Sequence, residues 1–518
     1  MAASLPDAGP AAADSGAASE RNRYADLLRT TAIGLVVLGH WLLTSISDRG
    51  GRLTGGSAMA DIGWSGWGTL AFQVMPVFFL VGGYANALSW TRHRSGGATW
   101  ADWVRHRAVR LLRPTTLFVA VIVIAVGACG LAGADPAELA LAGWGVALQL
   151  WFLPVYLLLI ALTPALLRAH RRWGLAVPAV LALAAAGVDA GVLGARLAGL
   201  GYANYLLVWG TMHQWGFAWQ DGTLTRRRWR PWALAASGAL ALGALLAWGP
   251  FPVNMVGTTG GGVNNTIPPS VALLAFAAVQ SGLLLAAEPA LSGLLARGGR
   301  LWRGVRWLND RVLTVFLWHM VPAVVVALAL YPSGLLPQPA PGSAQWWALR
   351  PAWIAALAIV LAPAAIWLAR FERPLGRLAG FERPLRRTSR SVLAPALTAL
   401  GVAAAGVALT RFAVFGFAPG GTIPVAAVAG YAGGVALILL AGLPPRPPRA
   451  RAAPASPAPA AADPAASAPA TPAPASPGAD RPGGGLSVQA VLGPSSPAAP
   501  VTAPPDPPRP ARPAGTGS

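Results

Sequence analysis

Lysine is missing altogether: the chain's 39 basic residues are all arginine, set against 18 Asp and Glu for a net charge of +21. In a sequence so rich in Ala, Gly and Pro that choice reflects GC-rich coding, so the placement of each arginine carries more information than the total. Charged residues of both signs make up only 11%, and no basic soluble segment is present, which excludes a nucleic-acid-binding domain. The lone cysteine, Cys129 in "VIVIAVGACGLAG", excludes a disulfide framework or a cysteine metal site and reads as a packing residue. No group of His, Asp and Glu stands at metal-ligand spacing, so no bound metal or resident cofactor is expected. The Gly-rich "GTTGGGVNN" at 257–265 follows no strand and reads as a flexible turn rather than a dinucleotide loop. Residues 1–20 lack the basic start and apolar run of a cleaved signal peptide, so the first hydrophobic span is expected to be retained.

What fills the chain instead is apolar: 55% of residues are hydrophobic and mean hydropathy is +0.53. An all-α polytopic membrane protein follows. A span needs about 20 apolar residues, and twelve stretches qualify between residues 30 and 443. Loops at 91–113, 168–173, 220–230, 288–311 and 370–390 carry 6, 3, 4, 5 and 7 arginines, while those at 47–65, 134–139, 196–198, 250–268 and 332–345 carry 2, 0, 1, 0 and 0. That alternation puts the basic loops and both termini in the cytoplasm, with the chain in the plasma membrane. The expected order is a flexible cytoplasmic segment at 1–20, a membrane domain of about 10 helices at 21–370, a basic cytoplasmic loop at 371–390 holding a repeated "FERPL", two additional helices at 391–443, and a Pro/Ala-rich disordered tail at 444–518.

The first span opens "RYADLLRTTAIGLVVLGHW", residues 23–41. Arg29 and His40 are eleven residues apart, so on a helix they differ by about 20° in azimuth and ~16 Å in height. Asp26 lies one turn from Arg29 on the same side and is placed to pair with it. An arginine at the interface can snorkel, whereas a histidine near mid-bilayer is costly enough to point to function. Imidazole suits removal of a hydroxyl proton near neutral pH, and arginine suits phosphate.

These residues carry a resemblance. "DLLRTTAIGLVVLGHW" resembles the opening of the membrane-bound acyltransferase 3 family, whose first helix carries Asp-x-x-Arg and then Arg, ten residues, His; Asp26, Arg29 and His40 occupy those positions. "PVFFLVGGYANAL" (76–88) is similar to the family's second helix, with Gly82 in place of the usual Ser, and "RHRAVRLLRP" (105–114) is similar to its basic segment with Arg-x-x-Arg spacing. "LQLWFLPVYLL" (148–158) and "VFLWHM" (315–320) resemble later helices, and "NYLLVWGTMHQWGFAWQDG" with "FPVNMVG" and "NNTIPPS" looks like an actinobacterial branch. The resemblance covers about residues 20–370.

It implies transfer of an acyl group, commonly acetyl, from cytoplasmic acyl-coenzyme A to a hydroxyl of a glycan, lipid-linked saccharide or small product. His40 would be the base, with an acyl-histidine also open. Arg29, Arg107, Arg110 and Arg113 would hold the coenzyme A phosphates, although the positive-inside rule also places arginines there. His319 could orient the acceptor or His40, or serve as a structural bond. No acid stands at the depth of His40, so Tyr84, Asn86 and Gln149 are candidates to orient it. His213, Gln214 and Asp221 could line the donor entrance, with a packing role slightly preferred; His93, His106 and His170 read as solvated loop residues. No His-x4-Asp of the glycerolipid acyltransferases occurs. A secondary transporter of a small polar solute is the rival reading, but no internal repeat relates the two halves.

Overall fold

The computed structural model describes residues 22–48, 50, 52–257, 262–297, 299–331, 333–378 and 392–442. The expected N-terminal segment at 1–20, most of the 371–390 loop with its second "FERPL", the tail at 444–518 and part of the Gly-rich turn lie outside these residues. Among the described residues, sixteen α-helices and one hairpin run in the order α1 (Arg23–Leu43), β1 (Thr44–Asp48), β2 (Leu53–Ser57), α2 (Ser65–Phe72), α3 (Met75–Ser95), α4 (Trp100–Leu131), α5 (Pro136–Gly145), α6 (Phe152–Trp173), α7 (Ala176–Gly194) and α8 (Asn204–Gln220). Then follow α9 (Trp229–Trp248), α10 (Val271–Arg297), α11 (Gly299–Asn309), α12 (Val312–Trp318), α13 (Val321–Leu330), α14 (Ala344–Leu378), α15 (Leu393–Phe415) and α16 (Val425–Leu440).

The fold is an all-α polytopic membrane protein, as the apolar runs require. Among the described residues nine helical segments are long and apolar enough to cross a membrane, and ten when the bent pair α12–α13 counts as one; α16 is shorter. The segment at 47–65 is more than a loop. Thr44, Ile46 and Thr54 favour extended backbone, and β1 pairs antiparallel with β2 from Thr44 opposite Ser57 to Asp48 opposite Leu53. The expected span at 140–167 is divided, with α5 ending at Gly145 and a 3-10 turn over Leu148–Trp151 preceding α6. Cys129 is exposed on α4, which corrects its reading as a packing residue.

Three local features position the site. α1 starts on Asn22, whose side chain accepts a hydrogen bond from the Ala25 amide at 3.0 Å and satisfies one of the donors a helix start leaves open. α4 begins on a capping box, Thr99 with Asp102. At ~48 Å its 32 residues exceed the ~30 Å hydrocarbon layer, so the first turns can carry Arg105, Arg107, Arg110 and Arg113 beyond it. α12 and α13 are bent by 40° around His319 and Met320. The cause is Pro322, which has no N–H to continue the ladder and sits at the start of α13, where proline is tolerated.

Helix crossings are tight where glycines allow it. A Cβ at Gly83 of α3 would strike the His213 carbonyl of α8, and one at Gly216 would strike the Leu80 carbonyl. The two backbones therefore touch, and Asn86 and His213 come side by side. The same device joins α15 to α16 through Gly401 and Gly434. α8 is buried along most of its length, including Thr211, His213 and Gln214.

Candidate active site

His40 lies in the last turn of α1, with His319 at the break between α12 and α13. Nδ1 of His40 is 2.7 Å from Nε2 of His319, and the rings are parallel to within 7°, with centroids 5.0 Å apart. On its other side, Nδ1 of His319 is 2.7 Å from the Phe316 carbonyl. A carbonyl can only accept, so that nitrogen carries the hydrogen. In neutral His319 the Nε2 lone pair is then the acceptor, His40 must donate from Nδ1, and His40 Nε2 is left as a bare base.

The break that makes this possible is held by its own freed carbonyls. Within a membrane each interrupted backbone group needs a new partner, and here three have one. Phe316 receives His319 Nδ1, Leu317 receives Gln149 Nε2 at 2.8 Å, and His319 receives Trp41 Nε1 at 2.7 Å. Gln149 also donates to Val146, and Trp353 donates to the Trp41 carbonyl at 3.1 Å. Gln149 thus fastens the turn beside His319 rather than bonding to His40.

His40 lines a cavity of about 650 Å³. The hairpin, α2, α5 and α13 contribute walls, through residues such as Gly55, Phe72, Leu141, Ala323 and Leu328. Its surroundings are mainly apolar, and among the described lining residues no arginine occurs.

The arginines gather instead toward the start of α1. Arg29 lies 3.7 Å from Asp26 and donates to Asn309 Oδ1 at 3.3 Å. Arg110 interacts electrostatically with Arg29, Arg107, Arg113 and Tyr156, so the arginines of α1 and α4 form one basic cluster. Arg107 donates to Asn86 Oδ1 at 2.5 Å and to the Tyr156 hydroxyl at 3.3 Å. With its oxygen committed, Asn86 turns its amide nitrogen to His213 Nε2 at 3.1 Å. Tyr84 stands at this end too: its hydroxyl accepts from Asn22 at 3.1 Å, and its ring lies 4.4 Å from that of Trp219. Asn22 precedes His40 by 18 residues, ~27 Å of helix, so neither Tyr84 nor Asn86 is beside the imidazole.

Among the remaining histidines, His170 is buried and 2.9 Å from Asp221, which corrects its reading as a solvated loop residue. Burial pushes the Asp221 carboxyl up, but hydrogen bonds from Thr223 and His170 outweigh it and hold the group below the ordinary carboxylate range. His93 hydrogen-bonds the Ser89 carbonyl and lies 5.1 Å from the His106 ring. Among the described residues no group of three or more His, Cys, Asp or Glu could hold a metal ion.

The sequence holds a sign of the imidazole pair. In "VFLWHMVP" a proline follows His319 by three residues. A proline there breaks the helix around the histidine and frees carbonyls for it to bond.

The two imidazoles meet inside an apolar span, and the arginines of α1 and α4 cluster toward the other end of α1. The sequence model of the acyltransferase 3 family, described as an acyltransferase domain, matches residues 22–370. The chain belongs to that family and is a membrane acyltransferase, and with this the transporter reading falls away. No curated protein and no solved structure matches the chain.

Proposed function

We propose that the chain transfers an acyl group, acetyl in the simplest case, from acyl-coenzyme A bound at the arginine cluster to an acceptor hydroxyl in the cavity beside His40. The arginine-rich end faces the cytoplasm of a cell whose plasma membrane holds the protein, with both termini on that side. Arg29, Arg107, Arg110 and Arg113 meet the donor's phosphates, and its extended pantetheine arm bridges the ~16 Å of helix from Arg29 to His40.

His40 Nε2 removes the proton as the acceptor oxygen attacks the thioester carbonyl. The C–O bond forms, the tetrahedral intermediate collapses, the C–S bond breaks, and the thiolate recovers the proton from the imidazolium. His319 Nε2 accepts from the charged ring throughout. A second histidine in place of a carboxylate keeps the resting site neutral, which limits the cost of burying it in a bilayer. The observation that carries this reading is the directed chain from the Phe316 carbonyl through His319 to His40.

Sidedness tests it. In proteoliposomes with labelled acetyl-coenzyme A confined to the arginine-rich side and a cell-envelope extract on the other, label is expected to reach the extract's hydroxyl-bearing glycans, lipids or small products. Movement of an unacylated solute without donor, and no transfer of label, would contradict it.

A further inference from the structure

The cavity's walls speak to what kind of molecule brings the hydroxyl. Several of its polar groups are already engaged within the protein, although Gln149 Oε1 has no hydrogen-bond partner among the described residues. Gln73 donates to the Met255 carbonyl, Thr69 to Gly66 and Thr266 to Met255, while Glu138 accepts from the Leu53 amide at 3.0 Å. A free sugar needs several unspent donors and acceptors to replace its hydration.

The rim is apolar and faces outward. Ile267, Leu328 and Val414 line the cavity yet are 63%, 48% and 55% exposed. A hydrocarbon chain can therefore enter the cavity along apolar side chains.

Part of that wall comes from beyond the matched domain. The family match ends at residue 370, but Ala413 and Val414 of α15 line the cavity. They are fixed in place: the Phe417 amide donates to the Gly143 carbonyl at 3.2 Å, the Phe412 and Phe417 rings stack at 4.6 Å, and Tyr431 of α16 shares a 3.0 Å hydrogen bond with Thr116 of α4.

We propose that the acceptor is a hydroxyl-bearing lipid whose hydrocarbon chain occupies this cavity, against a wall to which Ala413 and Val414 of the C-terminal helix pair contribute. This rests on His40 as the base that the hydroxyl must reach.

The test is cross-linking of the full chain in phosphatidylcholine nanodiscs with a tritiated hexadecanol bearing a terminal diazirine, with labelled peptides mapped by mass spectrometry. Label in α13 and α15 should exceed that in lipid-facing α9 at least fivefold. Unlabelled hexadecanol should compete at α13 and α15 more strongly than at α9. Ala413→Trp should remove the excess, as should Leu328→Trp, made separately in case the first does not fold. Labelling that follows bilayer exposure alone, or that neither variant changes, overturns the proposal. Because the map needs no donor and no turnover, its failure is separate from failure of the acyl-transfer reading.

Discussion

Replacing His319 isolates the role of the imidazole pair. In the resting site its Nε2 accepts an ordinary hydrogen bond from neutral His40 at 2.7 Å. Once His40 takes the acceptor's proton, the same bond is charge-assisted, worth about 1.5–3 kcal/mol. That gain exists in the transition state and not in the bound ground state, so it belongs to kcat. Only the excess over the ordinary bond, about 1–1.5 kcal/mol, is special to the transition state, so His319→Ala should lower kcat about 5- to 13-fold and leave the donor KM within twofold, since the arginine cluster is untouched. His319→Gln, which can place a carbonyl oxygen where Nε2 stood, should recover part of the loss. The assay is steady-state transfer of label from acetyl-coenzyme A by protein in nanodiscs, with size-exclusion and thermal-melt controls for folding. A folded His319→Ala variant with kcat within twofold of the parent would refute the reasoning. So would a loss confined to KM.

Two further outcomes follow from the same geometry. Asn86→Leu removes the oxygen that holds Arg107 and should raise the KM for acyl-coenzyme A about tenfold, the value of one hydrogen bond to a charged group, with kcat unchanged; a fall in kcat alone would contradict the assignment of Arg107 to donor binding. Cys129, exposed near the end of α4 away from its arginines, should react with a membrane-impermeant maleimide added outside intact cells without loss of activity, whereas labelling only after permeabilisation would reverse the orientation.

Much of the fold was legible because a bilayer leaves few options. Apolar runs of spanning length and arginines in alternate loops are imposed by the solvent rather than by tertiary detail. The register of Arg29 and His40 was legible for a similar reason, since helical arithmetic applies wherever a helix is assured. The partner of His40 was not: it lies 279 residues away, and spacing along one helix says nothing about which segment packs across from it. His319 was among the candidates on account of its depth, but Tyr84, Asn86 and Gln149 were equally eligible. Only the packing sends Asn86 to Arg107 and His213, Tyr84 to Asn22 and Trp219, and Gln149 to the Leu317 carbonyl. The wall formed by α15 was illegible too, because an apolar helix reads the same whether its small residues face lipid or a cavity.

His40 is where the chemistry either happens or does not. The most direct measurement is the rate of acyl transfer from labelled acetyl-coenzyme A by folded His40→Ala beside the parent protein, with the same acceptor extract and donor saturating for both. A loss of at least about 100-fold, the lower range for removing a positioned general base, with donor binding retained, is the expected result. Transfer at the parental rate in the folded variant would contradict it.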